Sequence, residues 1–179
     1  MGVDPSPTMI ESARRHAIEA NAAIDLRCAT MSEVEFDAEY DLVVCLFTSL
    51  GQQHGPQRDD APHHALLSCA AKALQPGGVA VVELPDRDRA VSALVESETL
   101  GPTQVTRSFD SVASTITERF DMQSGDTFEL HYRVYDRAEL SDLIADAGLA
   151  VEQVRDRGLA EPPGTMTTVL ARRPATAMR

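Results

Sequence analysis

His54 stands in a polar stretch between two apolar runs, where an imidazole titrating near neutrality could act as a general base on an acceptor hydroxyl or amine. An ordinary solvated loop histidine is the alternative. His63 and His64 are adjacent and have no partner at helical spacing, so no metal site is expected. Cys28, Cys45 and Cys69 are odd in number and widely spaced, which fits reduced thiols buried as small hydrophobes better than disulfides, zinc ligands or a nucleophile. Asp4 ends a short GVD run just before a helix signal and can cap or polarise that helix. In FELHYRVY, residues 128–135, period-2 alternation puts Phe128, Leu130, Tyr132 and Val134 on one face and Glu129, His131, Arg133 and Tyr135 on the other. Tyr132 is therefore expected in the core or a pocket wall, and His131 and Arg133 on a solvated face.

The elements that must position these groups follow from the apolar periodicity. A helix is predicted over 5–22, capped by Ser6 with Pro7 at its first position and an apolar stripe of Met9, Ile10, Ala13, Ala17 and Ala20. Strands are predicted at 24–28 and 41–47, the second a continuous apolar run expected at the centre of a sheet, covered on both faces. A polar loop from Thr48 to about Asp60 leads to a helix that stops at Pro76, Gly77 and Gly78, followed by a buried strand at 79–84. Alternating or β-branched runs at 103–109, 112–121 and 127–135 predict an antiparallel excursion. Asp136 and Glu139 form a capping-box pattern for a helix at 137–147, ended by Gly148, with closing strands near 149–155 and 165–172. Such alternation of strands and helices argues for a mostly parallel sheet in one domain over 1–173, with a tail at 174–179.

The chain of 179 residues carries a net charge of −12 and no dense Lys/Arg cluster, which argues against nucleic acid or anionic lipid as partner. The longest apolar runs, LVVCLF and VAVVEL, are too short to span a bilayer, and no basic segment followed by an apolar run opens the chain. The expectation is a cytoplasmic protein.

GVDPSPTMIESARRHA (2–17) resembles the second-strand motif of class I S-adenosylmethionine-dependent methyltransferases, and YDLVVCLFTSLG (40–51) and LQPGGVAVVELP (74–85) resemble the fourth and fifth strands in the right order. HYRVYDRAELSDLIADAGL (131–149) is similar to the family's late strand, helix and turn. The resemblance implies a Rossmann-like doubly wound α/β sheet, mostly parallel, with an antiparallel excursion and antiparallel C-terminal strands. It implies that Asp4 meets the ribose hydroxyls of S-adenosylmethionine, a carboxylate at a strand's C-terminal edge accepting two hydrogen bonds from a vicinal diol. It also places Met31 and Ser32 around the adenine, simple loop packing being the alternative for Met31, and Leu46, Phe47 and Thr48 against the cofactor and the acceptor, a core role being the alternative for Phe47.

The sequence departs from the family pattern twice. The first strand and its glycine-rich DxGxGxG loop are missing from these residues, and in CATMSEVEF (28–36) Thr30 stands where many relatives have an acidic residue for the adenine amino group. In the family's sheet the first strand lies between the second and the fourth, so two apolar edges are left to satisfy. Three arrangements would do so: direct pairing of those two strands, a strand from a second copy or partner chain, or a longer protein of which this is a part. The resemblance implies methyl transfer to an oxygen or nitrogen of a small-molecule acceptor. The alternative is a protein of this fold that does not methylate, either a noncatalytic partner subunit or a cofactor-independent enzyme such as a cyclase.

Overall fold

The computed structural model describes residues 1–156 and 164–175. Strand β1 (Gly2–Asp4) leads into helix α1 (Pro7–Glu19), whose first turn is capped by the Ser6 hydroxyl accepting from the Met9 amide at 3.3 Å. Of the expected stripe only Ile10 is buried. Strand β2 (Leu26–Cys28) pairs with β1 in parallel, Asp4 opposite Cys28, and a 3₁₀ turn over Met31–Glu33 follows.

Strand β3 (Tyr40–Cys45) is followed by the two-residue β4 (Gln52–Gln53), helix α2 (Ala61–Ala73), strand β5 (Leu74–Pro85) and helix α3 (Arg87–Ser92). Four strands then form the antiparallel excursion: β6 (Ser97–Leu100), β7 (Thr103–Asp110), β8 (Thr115–Met122) and β9 (Thr127–Arg133). Helix α4 (Arg137–Asp146) opens on the expected capping box, the Asp136 carboxylate accepting from the Glu139 amide at 2.8 Å and the Glu139 carboxylate from the Asp136 amide at 3.2 Å. Strands β10 (Ala150–Arg155) and β11 (Met166–Arg172) complete the order; the end of the tail, 176–179, lies outside the described residues.

Three sheets result: β1-β2, β10-β11-β5-β3 and β4-β9-β8-β7-β6. In the second, β3 and β5 are parallel while β11 and β10 run antiparallel. Helices α2 and α4 cover one of its faces, burying Leu67, Leu74, Val82, Leu84 and Ile144 in the main core. Among the described residues no helix is long and apolar enough to cross a membrane.

Three expectations are corrected. Strand β3 is an edge strand, not a central one: β5 is its hydrogen-bonded neighbour, and while Val43 and Cys45 pack on the core, Leu42 and Val44 are each 55% exposed. The two strands flanking the family's first-strand position do not pair with each other, since β1 bonds β2 and β3 bonds β5. Helix α2 ends at Ala73, before the Pro76-Gly77-Gly78 breaker, because Leu74 already turns extended to open β5.

A polar network holds the excursion to the rest. Arg133, expected on a solvated face, is fully buried; it donates to Asp60 at 3.2 Å and Glu139 at 2.9 Å, and its guanidinium stacks 4.3 Å from the Tyr135 ring centroid. Its backbone amide bonds the Gly51 carbonyl at 2.8 Å. His131, expected beside it in solvent, is largely covered and bonds the Thr117 hydroxyl at 2.9 Å. Arg133 is enclosed by Asp60 at the start of α2 and Glu139 in α4, and His131 is held by Thr117 on the paired strand β8, long-range neighbours that the alternation pattern could not foresee.

His63 completes the network. Its Nε2 lies 3.0 Å from the Gln52 carbonyl, which only accepts, so Nε2 carries a proton, and Nδ1 lies 2.5 Å from the Tyr135 hydroxyl, which also reaches Asp60 at 3.2 Å. Burial, against the weaker pull of Asp60, holds the imidazole below its ordinary value of 6.5.

Removing Arg133 takes from Asp60 and Glu139 their one fully buried cation and leaves them to the more exposed Arg58 and Arg87, so Arg133→Ala is expected to lower unfolding stability by about 3 kcal/mol in urea titrations, with no rescue by lysine. Gly51→Ala is expected to destabilise as well, since a Cβ there would stand 2.8 Å from the Arg133 carbonyl. For His63 the unfolded chain binds the proton more readily than the folded one. Its contribution is complete above pH 6.5 and is lost as pH falls below that value toward the folded pKa. Thermal melts at pH 7 and pH 5 are expected to show this loss, and His63→Gln to reduce it.

Candidate functional site

Open α/β sheets bind ligands beyond the C-terminal ends of their parallel strands, and the expected site residues gather there in two groups. Asp4 closes β1, and because β1 and β2 are in register it lies beside the segment that follows Cys28: the Ala29 amide donates to the Asp4 carbonyl at 3.2 Å. One carboxylate oxygen of Asp4 accepts from the Ser6 amide at 2.7 Å, so the helix-start reading of this residue holds alongside any ligand role. Met31 and Ser32 are in the 3₁₀ turn directly beyond β2, Met31 half-buried. Thr30 fixes that turn by donating both its amide and its hydroxyl to Glu33, at 2.8 and 2.9 Å, and these bonds hold the Glu33 carboxyl below the usual range. A carboxylate therefore does stand in this turn, three residues after the position where the family pattern expects one.

Leu46, Phe47 and Thr48 form the second group. The strand ends at Cys45, so they lie in the turn beyond it and do not end the strand itself. Phe47 (φ 54°) and Thr48 (φ 66°) are consecutive left-handed residues, a conformation that costs a β-branched or aromatic side chain roughly 1–2 kcal/mol each. Tertiary bonds hold the turn: the Thr48 amide donates to the Glu83 carbonyl at 3.2 Å and the Gly51 amide to the Thr48 carbonyl at 2.8 Å. The result is to expose 74% of Phe47 at the mouth of the sheet, next to the end of β5.

His54 is exposed immediately after β4. Cys28, expected to be buried, is exposed, with its thiol 3.6 Å from the Pro5 carbonyl. Cys45 is half-buried, and burial pushes its thiol up to about 11, which leaves it protonated and unreactive. His63 spends both ring nitrogens on the network described above, and among the described residues no three His, Cys, Asp or Glu side chains are placed to hold a metal ion.

Sequence reasoning missed a cavity of about 260 Å³ between α3 and the five-stranded sheet, bordered by Pro85 at the C-terminal end of β5. One wall is apolar, from Ala90, Ala93, Leu94, Val95 and Ile116; the other carries Glu98, Arg107, Glu118 and Tyr132. Arg107 pairs with Glu98 and Glu118 at 2.5 Å each, bonds that outweigh the burial acting against its charge. Burial, then the charge of Glu118, raises the Tyr132 hydroxyl well above its ordinary range, so it stays protonated. Tyr132 on a pocket wall was legible from the alternation. The three charged residues come from strands β6, β7 and β8, and no local spacing joins them.

Comparison with known proteins agrees with this fold. Residues 1–78 match the family described as methyltransferase domain. A ubiquinone biosynthesis O-methyltransferase from Rhodopseudomonas palustris (strain BisB5) is 32% identical over 88 residues, covering 49% of this chain and 32% of that protein. The match thus spans about a third of the length of the curated relative. Among solved structures, an S-adenosylmethionine-dependent methyltransferase from Clostridium acetobutylicum ATCC 824 has a TM-score of 0.76 at 16% identity, covering 96% of this chain and 74% of that one. A SAM-bound amino pentose methyltransferase from Micromonospora echinaspora, involved in calicheamicin biosynthesis, has a TM-score of 0.67 at 19% identity, covering 96% and 72%. Residues 1–78 thus match a methyltransferase domain family, and the described chain shares the class I methyltransferase fold of these solved structures.

Proposed function

We propose that the chain transfers a methyl group from S-adenosylmethionine to an oxygen or nitrogen of a small metabolite. The observation that carries this reading is the placement of Asp4, the 30–33 turn and the strained 46–48 turn at the C-terminal ends of parallel strands in a methyltransferase fold. A carboxylate beside half-exposed apolar side chains is a donor set suited to a nucleoside: Asp4 accepts from the ribose diol, while Met31 and Ser32 bracket the base. Leu46, Phe47 and Thr48 border both cofactor and acceptor. When bound, the cofactor supplies an electrophilic methyl carbon; the acceptor's lone pair forms the new bond, the C–S bond breaks with its electrons left on sulfur, and the acceptor loses a proton. The protein's part is proximity, alignment and one base. His54 is the candidate for that base. Three free thiols suit a reducing compartment such as the cytoplasm.

Calorimetric titration with S-adenosylmethionine and S-adenosylhomocysteine tests the cofactor site. Saturable binding is expected, weakened roughly 10- to 100-fold by Asp4→Ala, which removes hydrogen bonds to a charged acceptor worth about 1.5–3 kcal/mol. No binding to folded protein at millimolar cofactor would overturn methyl transfer and leave the non-methylating alternative. Because Phe47 is exposed, Phe47→Ala is expected to reduce transfer rate while leaving the melting temperature unchanged. If His54 is the base, His54→Ala removes the acidic limb of the pH–rate profile.

A further inference from the structure

From the charge and shape of the cavity under α3 we infer that it binds a small amine as its ammonium, through Glu98 and Glu118, against the apolar wall of α3. Its role as the methyl acceptor's pocket rests on the reading above; the binding itself does not.

The cavity holds two carboxylates and one guanidinium. Arg107 gives its Nε–H to Glu118 and its Nη1 to Glu98, with a further bond from Nη1 to the Val95 carbonyl at 3.4 Å, so most of its donors are already used. One negative charge is left over. Tyr132 lines the same wall, and burial together with the neighbouring Glu118 charge keeps its hydroxyl protonated and neutral. The polar wall therefore offers a ligand mainly acceptors and net negative charge. Both carboxylates keep access to the cavity, Glu98 at 37% and Glu118 at 18% side-chain exposure.

The opposite wall is made of Ala90 in α3 and Ala93, Leu94 and Val95 just after it, which suits a ring or short alkyl body, with Thr165 a polar residue on the lining. At about 30 Å³ per water, the volume of about 260 Å³ equals roughly nine water molecules, the scale of a monocyclic amine. A neutral alcohol would fill the space but leave the extra charge unmatched. A carboxylate would face Glu98 and Glu118 directly, a like-charge contact that disfavours binding.

Calorimetry on the chain without cofactor, using benzylamine, benzyl alcohol and benzoate at pH 7, tests this. Benzylamine is expected to bind at least 10-fold more tightly than benzyl alcohol, benzoate not at all, and added salt to weaken the amine alone. Glu118→Gln is expected to weaken benzylamine about 10-fold. Because that change also releases Arg107 inside the fold, the rim substitution Glu98→Gln is measured beside it, with melting temperature as the control. Equal affinity for amine and alcohol, preference for benzoate, an unchanged affinity in Glu98→Gln, or no saturable binding of any probe would overturn the inference. Amine binding in a chain that fails to bind S-adenosylmethionine would uphold it and overturn the methyl-transfer reading instead.

Discussion

A guanidinium with no access to water must be neutralised by what surrounds it, and Arg133 meets that demand with groups from three parts of the chain. Asp60 comes from the N-terminus of α2, Glu139 from the first turn of α4, and the stacked ring of Tyr135 from the segment between β9 and α4. Arg58 and Arg87 extend the pairing, Arg58 to Asp60 at 2.6 Å and Arg87 to Asp136 at 2.9 Å. Burial acts against the Asp60 charge, but Arg58 and Arg133 outweigh it and keep the carboxyl below its usual range. The starts of both helices that cover the core sheet are thereby tied to the last strand of the excursion through one buried cation.

The same strand is joined to the candidate site. The Arg133 amide and the Gly51 carbonyl join β9 to the turn that follows β3, and the same turn carries Phe47 and Thr48 in left-handed conformations. Strain of this kind persists only where surrounding bonds over-determine it. Here the bond from Thr48 to Glu83 ties the turn to the end of β5, next to Pro85 on the cavity border. Asp4 and the 30–33 turn form a rim on the separate β1-β2 sheet, joined to the core through the segment that bonds α2, where the Ala38 and Glu39 amides donate to the Lys72 and Ala73 carbonyls.

Local signals made most of the elements legible. Ser6 with Pro7 marked the start of α1, Asp136 with Glu139 the start of α4, and Gly148 the end of it, because caps and breakers act within a few residues of the backbone groups they satisfy. The ordered strand motifs were enough to identify the fold, and Asp4 followed from its place at a strand end. Short elements escaped: α3, β4 and β6 span too few residues to show a period, and they exist because tertiary neighbours complete their bonds.

The sequence by itself determined the class of the fold and the order of its longer elements, since these depend on patterns a few residues long. Only the tertiary structure decided that β3 lies at an edge with Leu42 and Val44 open, that Arg133 is buried rather than solvated, and that Glu98, Arg107 and Glu118 face one cavity. Those facts depend on which strands become neighbours across tens of residues. Alternation along a strand says that two faces differ, but what packs against each face decides which is wet, and so which charges pair and which wait for a ligand.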